Sequence, residues 1–102
     1  MNSTQLPVAC LLTDSELQER RREILENARS AVIEIKELDN GFAYQFSSGG
    51  SRLTELAKLV ELEHQCCPFL TFRITVEPDD GPIWLELTGP AGTKDFLADL
   101  FN

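Results

Sequence analysis

The sequence predicts a single α+β domain with the element order α-ββα-ββα, in which a four-stranded, largely antiparallel sheet carries its helices on one face. Segments that alternate apolar and polar residues occur in two pairs, and a helical pattern follows each pair. The two units also match in pattern, because a displacement of 41 positions brings Ile33 onto Ile74 and Tyr44 onto Leu85. A chain of 102 residues has room for one core, so both units are assigned to one domain.

The leading helix is predicted over residues 13–30, after an irregular lead-in over residues 1–12. Residues 13–16, Thr-Asp-Ser-Glu, have the capping-box pattern that starts a helix. Four residues supply its thin apolar stripe: Leu17, Ile24, Leu25 and Ala28. The basic run at 20–22 lies among glutamates, which favours a solvated helix face with i,i+4 ion pairs.

The first hairpin–helix unit is predicted over residues 32–66. Ile33 and Ile35 alternate with charged residues, Asp-Asn-Gly at 39–41 is a strong turn signal, and an aromatic residue at every second position from 42 to 46 completes the hairpin. The helix begins near Arg52, and Pro68 disfavours helical geometry at the residue before it. Its predicted buried face contains Leu53, Leu56, Ala57 and Val60.

The second unit, residues 69–101, repeats the scheme. Apolar residues at 70, 72, 74 and 76 form a half-buried strand, and the turn at 78–82 leads to Ile83, Leu85 and Leu87 of a fourth strand. A Gly-Pro-Ala-Gly run ends that strand, and Thr93 is predicted to cap a short final helix.

Composition excludes several classes of partner. Seventeen acidic and nine basic residues give a net charge of −8, and such a surface repels nucleic acid and anionic membranes. No apolar run approaches the ~18 residues of a membrane span, and no signal-peptide pattern opens the chain. Three cysteines are an odd number and too few for a disulfide framework, which indicates free thiols and a cytoplasmic location.

One feature of the sequence indicates a chemical site: the His-Gln-Cys-Cys-Pro run at residues 64–68. At ~100° per residue, His64 and Cys67 extend the predicted apolar stripe, Glu63 lies at its edge, and Cys66 is displaced from it. Sulfur and imidazole ligands suit Zn(II) or a softer metal ion. If the lead-in folds back, Cys10 joins Cys66 and Cys67 in a three-sulfur site.

Two other interpretations stay open for these cysteines. Free cysteine is among the most buried residue types, so the pair is also consistent with a packed corner in a non-catalytic interaction or ligand-binding module. A thiol oxidoreductase is the third interpretation. The position disfavours it, because a helix C-terminus and Glu63 both oppose a thiolate, whereas the same field attracts a cation.

The segment EHQCCPFLTF at 63–72 resembles the signature of a family of small bacterial proteins, and residues 8–13 and 84–90 are similar to it as well. The Cys-Cys-Pro-Phe run is the most specific part of this resemblance, which covers nearly the whole chain. The family has no established activity, so the resemblance implies no chemistry of its own. It favours Glu63 and the three cysteines over His64 as site residues.

The working hypothesis is a small cytoplasmic protein that binds Zn or a softer metal ion through Cys66 and Cys67, with Cys10, His64 and Glu63 as further candidate ligands. A catalytic role is not predicted. On the sheet face opposite the helices, Trp84 and Ala43 form an apolar centre with a charged rim, which predicts a weak homodimer.

Overall fold

The structure is a computed structural model, and it describes residues 15–102. Its elements, in chain order, are α1 (Ser15–Ala31), β1 (Glu34–Leu38), β2 (Gly41–Phe46), α2 (Arg52–Cys66), β3 (Thr71–Val76), β4 (Ile83–Thr88) and α3 (Thr93–Leu100). The predicted α+β class and the order α-ββα-ββα are confirmed. The predicted lead-in and the first two residues of the predicted leading helix lie outside the described residues.

All neighbouring strands of the four-stranded sheet are antiparallel, in the order β1-β2-β4-β3. Strands β2 and β4 pair at the centre of the sheet and so join the two hairpin units. Tyr44 lies opposite Leu85 near the middle of this strand pair. The repeat is not uniform. Ile35 pairs with Tyr44, but Ile74 pairs with Leu85, so Ile74 is the counterpart of Ile35 and not of Ile33. The turn between β3 and β4 is longer than the tight turn between β1 and β2, and this shifts the outer strand by two positions.

The helices pack on one sheet face, where the core lies. Tyr44, Phe46 and Leu85 are almost completely buried there. The predicted buried face of α2 was partly wrong, because Leu53 is 46 % exposed and Ala57 is also exposed. The helix is rotated so that its buried positions are Leu56, Leu59, Leu62, Glu63 and Cys66. A carboxylate, Glu63, and a cysteine sulfur, Cys66, thus occupy positions in the core.

Helix α1 runs antiparallel to α2. Arg21, in the first half of α1, contacts Glu63 near the end of α2. Further along α1, Ala28 lies beside a groove that is also lined by Leu56 and Leu59 of α2. The start of α1 therefore lies beside the end of α2.

Several edge positions differ from the sequence prediction. Ile33 precedes β1 and is 62 % exposed, and Ile35 in the edge strand β1 is 42 % exposed, because no further strand or helix of residues 15–102 covers this edge fully. At the opposite edge Val76 is 53 % exposed.

Thr93 is the first residue of α3 and not its cap, since Gly92 precedes the helix with a φ of 96°, a backbone conformation that favours glycine.

The sheet face opposite the helices is largely polar, as expected. Trp84 is half-buried on it, and the Nζ atom of Lys36 lies 4.7 Å from the centroid of its indole ring. Ala43 is buried on the same face. Among the described residues no helix is both long enough and apolar enough to cross a membrane.

Candidate functional site at the end of helix 2

The corner between α2 and β3 places two cysteine sulfurs and a carboxylate together. Cys66 is the last residue of α2, and Cys67 follows it with non-helical backbone angles, as Pro68 requires of the residue before it. The Cys67 amide donates a hydrogen bond to the Glu63 carbonyl at 2.6 Å, and the Leu70 amide donates to the Cys67 carbonyl at 3.1 Å. Both cysteine side chains at this corner are fully buried.

Arg21 of α1 forms a bidentate ion pair with Glu63. Its Nε donates to Oε2 at 2.6 Å, and its Nη2 donates to Oε1 at 3.1 Å. The Arg21 side chain is 14 % exposed and that of Glu63 is 3 % exposed. Burial opposes the charge on Arg21, yet the hydrogen bond and the charge of Glu63 raise the net pKa of its guanidinium. The Arg21 guanidinium therefore keeps its charge at this partly buried position.

The predicted solvated face at residues 20–22 was consequently wrong for Arg21. Arg22 lies on the exposed side of α1 as predicted, and it pairs with Glu19 at i,i+3 spacing, not at the predicted i,i+4 spacing. Both arginines belong to the same run, and the turn of the helix directs one inward and the other outward.

The Cys67 thiol lies between the ion pair and Cys66. Its Sγ is 3.6 Å from Oε1 of Glu63 and 3.7 Å from Nη2 of Arg21, close enough for weak hydrogen bonds to both. The Sγ atoms of Cys67 and Cys66 are 3.6 Å apart. Two sulfurs, a carboxylate and a guanidinium thus form one buried cluster, which we call the Cys–Glu–Arg cluster (Arg21, Glu63, Cys66, Cys67).

The two cysteines of the cluster differ in state. Cys67 is a free thiol, whereas Cys66 is disulfide-bonded, and its bonding partner is not among residues 15–102. The expectation that all thiols are free was therefore wrong for Cys66. Spacing alone could not reveal this, because a disulfide requires its two residues to approach within several ångströms in the fold.

Burial raises the pKa of the Cys67 thiol from its usual 9.0 to about 12. The nearby Glu63 carboxylate adds to the shift, and Arg21 opposes it. The helix C-terminus and Glu63 predict this direction from the sequence, although burial is the larger cause. The thiol is therefore protonated at neutral pH and is a weak nucleophile.

The structure brings together three of the five predicted ligands: Glu63, Cys66 and Cys67. His64 is exposed on α2, and its ring contacts Phe72 edge-on with 6.4 Å between the ring centroids. Cys10 lies outside the described residues. Within residues 15–102 no group of three or more histidine, cysteine, aspartate or glutamate side chains is arranged to hold a metal ion.

Sequence reasoning missed Arg21 as a member of the site. A signal was present, since a lone carboxylate on the buried side of a helix end requires a cationic partner. Three adjacent arginines offered that partner, but only the packing of α1 on α2 selects which one reaches Glu63.

Comparison with protein-family models, curated proteins and solved structures finds no match to this chain.

Proposed function

We propose that this protein, when Cys66 is a thiol, binds Zn(II) or a softer metal ion through Cys66 and Cys67. The observation that supports this most is the 3.6 Å distance between the two Sγ atoms. With a Zn–S bond of about 2.3 Å and tetrahedral angles, two thiolates on one ion lie ~3.8 Å apart. Both sulfurs are thus already close to the separation of two ligands of one ion.

Once Cys66 is reduced, Glu63 is the proposed third ligand from the described residues, which in their present state hold no group of three such ligands. Its Oε1 is 3.6 Å from Sγ of Cys67, and a tetrahedral ion bound by one oxygen and one sulfur requires ~3.6 Å between them. Cys10 is the candidate for the remaining position. His64 has the weakest support, because it is exposed and directed toward Phe72.

Electrostatics supports a cation at this place. Zn(II) would replace two thiol protons, so the charge of the cluster would stay unchanged while the Arg21–Glu63 pair remains neutral as a whole. If Cys10 adds a third thiolate, Arg21 is positioned to balance the extra negative charge. The C-terminal end of α2 also carries a partial negative charge that favours a cation.

Binding fits the cluster better than thiol catalysis does. A catalytic cysteine needs a lowered pKa and access to its substrate, but the pKa of Cys67 is raised and its side chain is buried. The rival interpretation, an interaction module whose thiols only pack, predicts the same structure without metal uptake. A measurement of metal uptake distinguishes the metal-binding protein from the interaction module.

The test uses untagged, fully reduced protein and Co(II) as a spectroscopic probe, followed by competition with Zn(II). We expect near-stoichiometric Co(II) binding with thiolate-to-metal charge-transfer absorption, and displacement of Co(II) by Zn(II). The double substitution Cys66→Ser and Cys67→Ser should abolish this absorption, and His64→Ala serves as the matched control that retains it. Equal uptake by the double variant refutes the proposal, and so does the absence of uptake by the reduced wild type.

The proposal includes a cytoplasmic location and two statements about partners. A metal site built from thiols requires reducing conditions, which the cytoplasm provides. The net charge of −8 disfavours nucleic acid as a partner. The open sheet face carries Lys36 and Arg73 together with Glu34 and Glu86, so a second copy can present opposite charges to each of them in a weak homodimer.

A further inference from the structure

Arg52, the first residue of α2, has a buried nitrogen that lacks an acceptor. Within residues 15–102 its Nε atom is the only buried side-chain nitrogen or oxygen without a hydrogen-bond partner. A buried N–H group that finds no acceptor loses its hydrogen bond to water and gains nothing in return, above all on a charged side chain. Native proteins seldom keep such a group without a reason, and the surroundings of Arg52 supply one.

The contacts of Arg52 hold one part of its guanidinium and leave another part without a partner. Nη1 donates to Oε1 of Glu55 at 3.1 Å, and the central carbon of the guanidinium lies 6.0 Å from the centroid of the Phe46 ring. Nη2 makes no hydrogen bond to residues 15–102, and unlike Nε it is accessible at the surface. Nε and Nη2 form the edge of a guanidinium that binds a planar carboxylate through two parallel hydrogen bonds. A carboxylate bound to Nη2 therefore brings its second oxygen beside Nε.

Arg52 lines the groove between α1 and α2. The groove has a volume of about 230 Å³, and its floor is apolar, with Ile24 and Ala28 from α1 and Leu56 and Leu59 from α2. At ~30 Å³ for each molecule of liquid water, this volume equals that of about eight water molecules. Sites for drug-sized ligands measure ~300–1,000 Å³, so the groove suits a smaller molecule with a short hydrocarbon chain.

The charged residues that line the groove favour an anion. Arg52 and Lys58 are positive and Glu55 is negative, so the surplus is positive although the whole chain has a net charge of −8. Lys58 forms no ion pair with any residue from 15 to 102. Both carboxylate oxygens of Glu55 are engaged, one by Arg52 and the other by the Ser51 hydroxyl at 3.2 Å. The groove therefore has no free carboxylate for the ammonium group of a ligand.

We propose that the groove between α1 and α2 binds a small carboxylic acid that has a short hydrocarbon chain and no amino group. Its carboxylate accepts hydrogen bonds from Nη2 and Nε of Arg52, with Lys58 as a second positive charge, and its chain lies on the apolar floor. The ligand supplies the acceptor that Nε lacks. This site is separate from the proposed metal site, because the groove is lined by the first half of α2 and the Cys–Glu–Arg cluster lies at its end.

The first experiment titrates the full chain with sodium hexanoate and follows the NMR signals of the protein. We expect saturable shifts at the residues of the apolar floor and little change at the Cys–Glu–Arg cluster. Acetate should bind far more weakly, and each methylene added between acetate and hexanoate should tighten binding about fourfold. Hexylamine has the same chain and the opposite charge, so it should not bind. The absence of saturable shifts with hexanoate overturns the proposal, and so does equal binding of hexylamine.

The second experiment repeats the hexanoate titration with variants whose folding is verified by circular dichroism. Arg52→Met should weaken binding by about tenfold or more, because it removes both donors and their charge. Arg22→Met is the matched control, since Arg22 lies outside the groove, and it should bind as the wild type does. Ala28→Leu fills the groove from α1 and leaves Arg52 in place, so it should abolish binding, and it decides the question if Arg52→Met does not fold. Wild-type affinity in a folded Arg52→Met or Ala28→Leu variant overturns the site.

Discussion

Arg21 in α1 and Glu63 in α2 lie 42 positions apart in the chain and form a partly buried, bidentate ion pair. The pair joins the two helices at the point where the start of α1 meets the end of α2. It also supplies the charges that surround the Cys67 thiol. Helix packing and the chemistry of the cysteine corner therefore depend on the same two side chains.

We predict that Arg21→Met destabilises the protein by about 3–5 kcal/mol, because it leaves the buried Glu63 carboxylate without its counter-charge. Urea unfolding followed by circular dichroism measures this loss. Arg22→Met is the matched control, since Arg22 pairs with Glu19 at the surface, and its effect should stay within about 0.5 kcal/mol. The double substitution Arg21→Met and Glu63→Leu should recover part of the loss. Equal effects of the two single substitutions would show that the ion pair is unimportant.

We predict that Cys67 in the reduced, metal-free protein reacts with iodoacetamide more slowly than free cysteine at neutral pH. Its raised pKa keeps the thiolate fraction small, and burial restricts access. Alkylation rates for wild type and for Cys67→Ser, with the modified residue identified by mass spectrometry, give the contribution of Cys67. A pKa below ~7 for this thiol would favour thiol redox chemistry over metal binding.

We predict that the reduced protein loses stability as the pH rises above 9. The pKa of Cys67 is raised from 9.0 to about 12 in the folded protein, so between these values the folded state binds a proton that the unfolded state has lost. The resulting stabilisation is fully present below pH 9 and disappears as the pH rises through about 12. Burial also raises the pKa of Tyr44, which acts in the same direction. Urea unfolding from pH 7 to 10.5 measures the slope, and Cys67→Ala should reduce it. An unchanged slope in that variant contradicts the assignment to Cys67.

We predict a weak homodimer through the open sheet face, with Trp84 at its centre. Light scattering at several concentrations should show a concentration-dependent mass, and Trp84→Ala should shift the protein toward the monomer. Ile33→Ser is the comparison, because Ile33 is 62 % exposed at the β1 edge and not on this face. A wild type that is monomeric at every concentration excludes the dimer. Dissociation by Ile33→Ser alone moves the interface to the sheet edge.

The site itself was only partly predictable from the sequence. The end of α2 followed from Pro68 alone, because the restriction that proline places on the preceding residue is local. The proximity of Glu63, Cys66 and Cys67 followed from helical spacing. The exposed position of His64 did not, since the rotation of α2 about its axis depends on what the sheet and α1 bury.

The sequence by itself determined the class, the order of the elements and the alternation of the strands, because strand periodicity, turn residues and helix ends are properties of short segments. The tertiary structure decided which of three adjacent arginines meets Glu63, which face of α2 is buried, and how β3 is shifted against β4. It also decided that Cys66 and not Cys67 is disulfide-bonded. Each of these depends on contacts between segments that are distant in the chain, and a local pattern carries no information on which distant group will fill the space beside it.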